Sequence, residues 1–133
     1  MVSGSAINIY QQNSIKTASR EKLLLMLYEG LVRFLKIAIV SIEEKNIQKS
    51  NTYLKKAQSI IEELMSSLNM EDGGEVAKSL MLMYDYLFRR TVEANIKKDK
   101  GIAEEVLRFS EDLKGAFEQA YLLAKKQPSS SSK

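Results

Sequence analysis

Four stretches of this chain place apolar residues at alternating spacings of four and three, and short polar breaks separate them. That spacing returns to one helix face about every 3.5 residues, so each stretch reads as a helix with one apolar seam. The first seam runs Leu24, Tyr28, Leu31, Leu35, Ala38 and Ile42. The second runs Ile47, Ser50, Leu54, Ala57, Ile61, Leu64 and Leu68. The third is Ala77, Leu80, Tyr84, Leu87, Thr91 and Ala94, and the fourth is Ile102, Val106, Phe109, Leu113, Ala116, Ala120 and Leu123. No stretch sustains the period of two that a strand needs. Short connections between helices favour antiparallel neighbours. The pattern therefore predicts an all-α fold, an antiparallel up-down-up-down four-helix bundle over residues 19–126.

Local signals fix the expected ends. Ser19, Asn46 and Asp99 each stand where an N-cap is needed. Asp72 and Glu75 have capping-box spacing, which places the third helix start near Asp72. Residues 1–18 form an arm with scattered apolar residues, Ile7, Ile9, Tyr10 and Ile15, that can lie on the bundle or hang free. Residues 127–133, "QPSSSSK" after Lys126, are polar and hold the only Pro, so a disordered tail is expected.

Composition removes whole classes of chemistry. There is no His and no Cys. Thiolate metal sites, disulfides, the HExxH zinc motif, di-iron Glu-x-x-His pairs and the Ser-His-Asp triad all require one or the other. No catalytic residue, cofactor site or metal site is expected. Net charge is +3 and acids alternate with bases, so nucleic-acid binding is not expected. No signal peptide is visible. The apolar run Leu23 to Tyr28 is interrupted downstream by Glu29, Arg33 and Lys36, too soon for a membrane span. A cytoplasmic protein without membrane insertion is the expectation.

The apolar residues exceed what a bundle needs. A bundle helix needs about three apolar positions per heptad. "EKLLLMLYEGLVRFLKIAIV", Glu21 to Val40, supplies four or more in its first two turns, and its polar residues fall on one narrow stripe at Glu29, Arg33, Lys36 and Glu43. The surplus can be covered by the bundle, by the arm, by a second copy or by a foreign amphipathic helix. Arg33, Arg89, Arg90 and Arg108, with Glu93, give a competing reading: a small helical enzyme of the mutase type would bring these arginines into one pocket. The bland alternative is a set of solvated faces with helical ion pairs. "DGGE" at Asp72 to Glu75 reads as a turn, because it follows no strand and lacks phosphate-loop spacing.

"TASREKLLLMLYEG", carried here by Thr17, Ala18, Ser19, Glu21, Lys22, Leu23, Met26, Leu27, Tyr28 and Gly30, resembles the signature of the flagellar secretion chaperones of flagellin, the FliS family. "KAQSIIEELMSSLNMEDGGEVAKSL" and "LMLMYDYLFRRTVEANIKKD" resemble the blocks that follow it. Two departures stand out: Arg20 where Pro is usual and Glu29 where Asp is usual. The resemblance implies a non-enzymatic cytoplasmic chaperone. It would bind the C-terminal segment of unassembled flagellin, prevent premature polymerisation and help deliver it to the flagellar type III export gate. Partners implied are that segment and the export gate's cytoplasmic domain, with self-association of the bundle as an alternative. Tyr10 matches the aromatic that the family associates with hand-over to the gate. The remaining candidate contacts, Ile7, Leu25, Val32, Tyr53, Ile60, Met83 and Phe109, are chosen as apolar arm, flanking or seam residues.

Overall fold

A computed structural model describes residues 19–126. The arm and the tail, with Ile7 and Tyr10, lie outside the described residues. Four helices follow in order: α1 (Arg20–Glu43), α2 (Ile47–Ser66), α3 (Gly74–Lys97) and α4 (Lys100–Lys125). No strand occurs among the described residues. α1 and α3 each pack on both α2 and α4, which makes a square bundle. Polar contacts between helix ends set the directions. Arg20 at the start of α1 donates to the Ser67 carbonyl just past α2. Lys100 at the start of α4 pairs with Glu43 at the end of α1. The Asn95 amide near the end of α3 donates to Asn51 Oδ1 near the start of α2 at 2.8 Å. Each neighbouring pair is therefore antiparallel, as expected.

Three of the four expected caps form. Ser19 Oγ accepts from Lys22 N at 3.1 Å, Asn46 Oδ1 from Lys49 N at 3.0 Å, and Asp99 Oδ1 from Ile102 N at 3.1 Å. The third helix differs. It begins at Gly74 behind Gly73, and no side chain caps it. Asn69 has taken over the turn: its Oδ1 accepts from Glu71 N and Asp72 N, and its amide donates to the Asp72 carboxylate at 3.3 Å. Asp72 is thus engaged upstream, and the capping box does not close. The two glycines complete the turn. A Cβ on Gly73 would lie 2.5 Å from the Asn69 carbonyl oxygen and from Ala77 Cβ, and Gly74 has φ +61°.

The surplus on α1 is largely absorbed by the bundle. Leu27, Tyr28, Leu31, Leu35 and Ala38 join the main core with Leu54, Ala57, Ile61, Leu64, Tyr84, Leu87 and Val106. On the other flank Ile39 packs with Ala94 and Ala103. Gly30 faces α2, where a Cβ would meet Ile60 Cδ1 at 3.0 Å, so the glycine lets the two helices approach closely. The wet stripe is as expected, joined by half-exposed Val40. Seam positions at two helix ends depart: Ile47, in the first turn of α2, is 66% exposed, and Ala116, Ala120 and Leu123 towards the end of α4 are exposed as well.

α3 and α4 are clasped by a polar cluster. The Tyr86 hydroxyl donates to Glu105 Oε2 at 2.5 Å, and Arg90 bridges Glu105 at 2.8 Å and Glu93 at 2.6 Å. The Tyr86 bond, then the Arg90 bond, hold the Glu105 carboxyl below its ordinary value of 4.5. A carboxylate depressed in the folded state contributes stability above its unfolded pKa and loses it as pH falls through the folded value. Tyr86→Phe should therefore narrow the gap between urea midpoints measured at neutral pH and in acid below that value. An unchanged gap would contradict the role given to this bond.

α2 carries its charges the wrong way round for its own dipole. Lys49 is in its first turn, Glu62 and Glu63 lie near its end, and its first turn holds no acid. Acids favour a helix N-terminus by about 0.3–1 kcal/mol each, and cations oppose it. Lys49→Glu should raise stability by roughly 0.3–1 kcal/mol in a denaturant titration, and a loss would contradict this assignment.

Candidate functional site

α3 and α4 part towards one end of the bundle. The N-terminal half of α3 and the C-terminal half of α4 form the two walls of an open groove of about 480 Å³. Val76, Ala77, Leu80 and Tyr84 line one wall, and Leu113, Ala116, Phe117 and Ala120 line the other. Leu24 and Tyr28 of α1 and Leu68 from the α2–α3 turn contribute the remaining apolar surface. Arg20, Ser67 and Asn69 supply the polar rim.

The local sequence explains the shape. Seven residues separate Ser66 from Gly74, and four of them, Ser67, Leu68, Asn69 and Gly73, border one end of the groove. Small residues four apart lie on both walls, Gly73 and Ala77 on one and Ala116 and Ala120 on the other. That spacing puts each pair on one helix face, where backbone is exposed to close approach. Val76 stands on the rim, 70% exposed.

The floor is an uncharged aromatic pair. Tyr28 and Tyr84 are buried, with their hydroxyl oxygens 2.5 Å apart. The Tyr28 ring lies 5.6 Å from Phe117, tilted by 43°. Burial pushes the Tyr28 hydroxyl up, and the bond and charge of Tyr84 push the same way. Burial also raises Tyr84, against the opposing pull of the Tyr28 bond. Both hydroxyls stay neutral, and each satisfies the other. Tyr84→Phe should cost about 1–3 kcal/mol in a thermal or urea melt, because it leaves the Tyr28 hydroxyl buried without its partner. A variant as stable as the parent would contradict the pairing.

None of the six described candidate contacts lines this groove. Leu25 and Val32 are buried on α1, and Ile60 is part of the main core. Tyr53 is half-buried against Phe34, with ring centroids 5.7 Å apart, and Phe109 is half-buried 6.1 Å from Tyr86. Met83 is half-buried on α3. The groove residues Leu24, Tyr28, Leu80, Tyr84 and Leu113 were legible only as seam positions. The four arginines do not converge. Arg33 lies over the Phe34 ring, Arg89 pairs with Asp85, Arg90 bridges Glu93 and Glu105, and Arg108 is exposed on α4. None of them lines the groove. Among the described residues no helix is long and apolar enough to cross a membrane, and no group of acids could hold a metal ion.

Comparison with known proteins agrees with this architecture. The family described as "Flagellar protein FliS" matches residues 3–124. The flagellar secretion chaperone FliS of Bacillus subtilis strain 168 is 44% identical over 111 residues, which cover 84% of this chain and 82% of that protein. The flagellar secretion chaperone FliS of Salmonella typhimurium strain LT2 is 33% identical over 124 residues, covering 90% of this chain and 92% of that one. A crystal structure of a bacterial flagellar chaperone superposes with a TM-score of 0.72 over 88% of this chain and 95% of that one, at 21% identity, which speaks for the fold. The Bacillus subtilis and Salmonella typhimurium relatives are named as chaperones. The chain belongs to the FliS family of flagellar secretion chaperones.

Proposed function

We propose that this chaperone holds the C-terminal segment of unassembled flagellin in the cytoplasm, keeps it from polymerising early and helps deliver it to the export gate. The observation that carries this reading is the apolar groove between α3 and α4, with its neutral Tyr28–Tyr84 floor and small-residue walls. Such a groove suits the apolar face of an amphipathic segment. Ordering a disordered partner costs several kcal/mol, so a contact of this kind must bury a large apolar area. A groove of about 480 Å³ receives only a few side chains. The rest of the segment wraps over other half-exposed apolar residues, for which Met83 and Phe109 on α3 and α4 remain the candidates, whereas Tyr53 stands apart on α2 and Leu25, Val32 and Ile60 are buried. The arm, with Ile7, covers the groove when cargo is absent, and Tyr10 serves the hand-over to the gate's cytoplasmic domain.

The test is flagellin polymerisation followed by light scattering. An equimolar amount of the chaperone should suppress filament growth, and a flagellin lacking its C-terminal segment should not compete for the chaperone. Growth at the uninhibited rate would overturn the reading.

A further inference from the structure

The cations of this bundle are sorted by face. On α3 and α4 and between α1 and α4 most are neutralised, Lys36 by Glu111, Arg89 by Asp85, Arg90 by Glu93 and Glu105, Lys114 by Glu118, with Arg108 an exception. α2 is different. It carries Lys49, Lys55 and Lys56 and no acid before Glu62. Among the described residues no acid lies within ion-pair distance of these three, nor of Arg33 or Lys45 beside them.

Two aromatic rings sit among these charges. Phe34 and Tyr53 pack on each other, Arg33 lies 5.4 Å from the Phe34 centroid, and Lys56 lies 5.5 and 5.6 Å from the two centroids. Energetically significant cation–π contacts occur roughly once per 70–80 residues, so three on two neighbouring rings mark a dense cluster. At the near end, Lys45 and Lys98 border a notch of about 240 Å³ whose rim includes the exposed Ile47. Burial lowers the Lys98 ammonium, and the charge of Lys55 adds to the shift. The placement also opposes the dipole of α2, so it does not serve the helix that bears it.

We infer that the N-terminal half of α2, with Arg33, Lys45 and Lys98 beside it, is a docking surface for an acidic segment of a protein partner, separate from the apolar groove. Charge complementarity selects the occupant: among the described residues these six cations have no carboxylate within ion-pair distance. From Lys45 to Lys56 the surface runs roughly 16 Å at helical rise, about three turns of a partner helix bearing acids on one face. The notch beside Ile47 accepts one apolar side chain of that helix. Nucleic acid fits less well, because the two rings are half-buried and already occupied by each other and by Arg33 and Lys56, where a base would need to stack. The groove opens at the other end of the bundle, so the two surfaces can be occupied together.

The test is fluorescence anisotropy of a short glutamate-rich helical peptide with the full chain. Binding should weaken with added salt. Lys49→Glu combined with Lys56→Glu should weaken it by roughly tenfold or more, while Lys114→Glu, on the neutralised side, leaves it unchanged. The neutral pair Lys49→Gln and Lys56→Gln should give a smaller loss in the same direction, and both pairs should remain folded, with melting temperatures lowered by no more than the loss of the Lys56 ring contacts explains. Binding of a flagellin C-terminal segment should survive both pairs, which separates this surface from the groove. Equal losses from Lys114→Glu, or tighter binding of a single-stranded oligonucleotide than of the peptide, would overturn the inference.

Discussion

Leu35→Ala should lose roughly 3–5 kcal/mol of stability. Leu35 is fully buried in the main core, where α1 meets the rest of the bundle. Truncation removes its transfer free energy and leaves a cavity that the surrounding helices can only partly fill. For a domain of this size the loss lowers the melting temperature by more than about 10 °C. Leu82→Ala is the matched control: Leu82 is 72% exposed on α3, and its truncation should change stability by no more than about 0.5 kcal/mol. Similar melts for the two variants would contradict the core assignment, since the chemistry of the substitution is the same and only the burial differs.

Val76→Glu should leave the fold intact and weaken binding of a flagellin C-terminal segment by about 2–3 kcal/mol, roughly 30- to 150-fold. Val76 is mostly exposed, so the carboxylate is solvated in the free chaperone. When an apolar segment occupies the groove, that carboxylate loses water and gains no partner. A calorimetric titration reads the difference, with an unchanged melting curve as the check on folding. Affinity equal to the parent's would place the segment elsewhere on the bundle.

The bundle itself was legible because the seams repeat. Four and three alternating through Leu24 to Ile42 or Ile102 to Leu123 admit no period but a helical one. Ser19, Asn46 and Asp99 cap as their chemistry dictates, since each side chain needs only the backbone two or three residues ahead. Asp72 did not, because Asn69 reached its carboxylate first, and such competition between polar side chains leaves no periodic trace.

The groove was hidden for a different reason. Periodicity reports which face of a helix is apolar, not whether the neighbouring helix stays beside it along its whole length. Leu80 and Leu113 are seam residues by spacing yet line the groove walls, while Leu87 and Val106, on the same two seams, are closed over. The surplus on α1 pointed to an uncovered surface, but two flanking helices bury most of it, and the open apolar surface lies between α3 and α4. Paired small residues four apart, Gly73 with Ala77 and Ala116 with Ala120, were the one local signal for that opening. The sorting of charge had a trace as well: seventeen residues from Lys45 to Ile61 contain four lysines and no acid.

The most direct measurement is site-specific photocrosslinking in the complex with flagellin. A photoreactive residue at position 76 should crosslink to the flagellin C-terminal segment. The same residue at position 59, half-buried on α2 and not part of the groove lining, should give far less of that product. Crosslinking from position 59 but not from position 76, with the complex intact, would contradict the groove as the binding site.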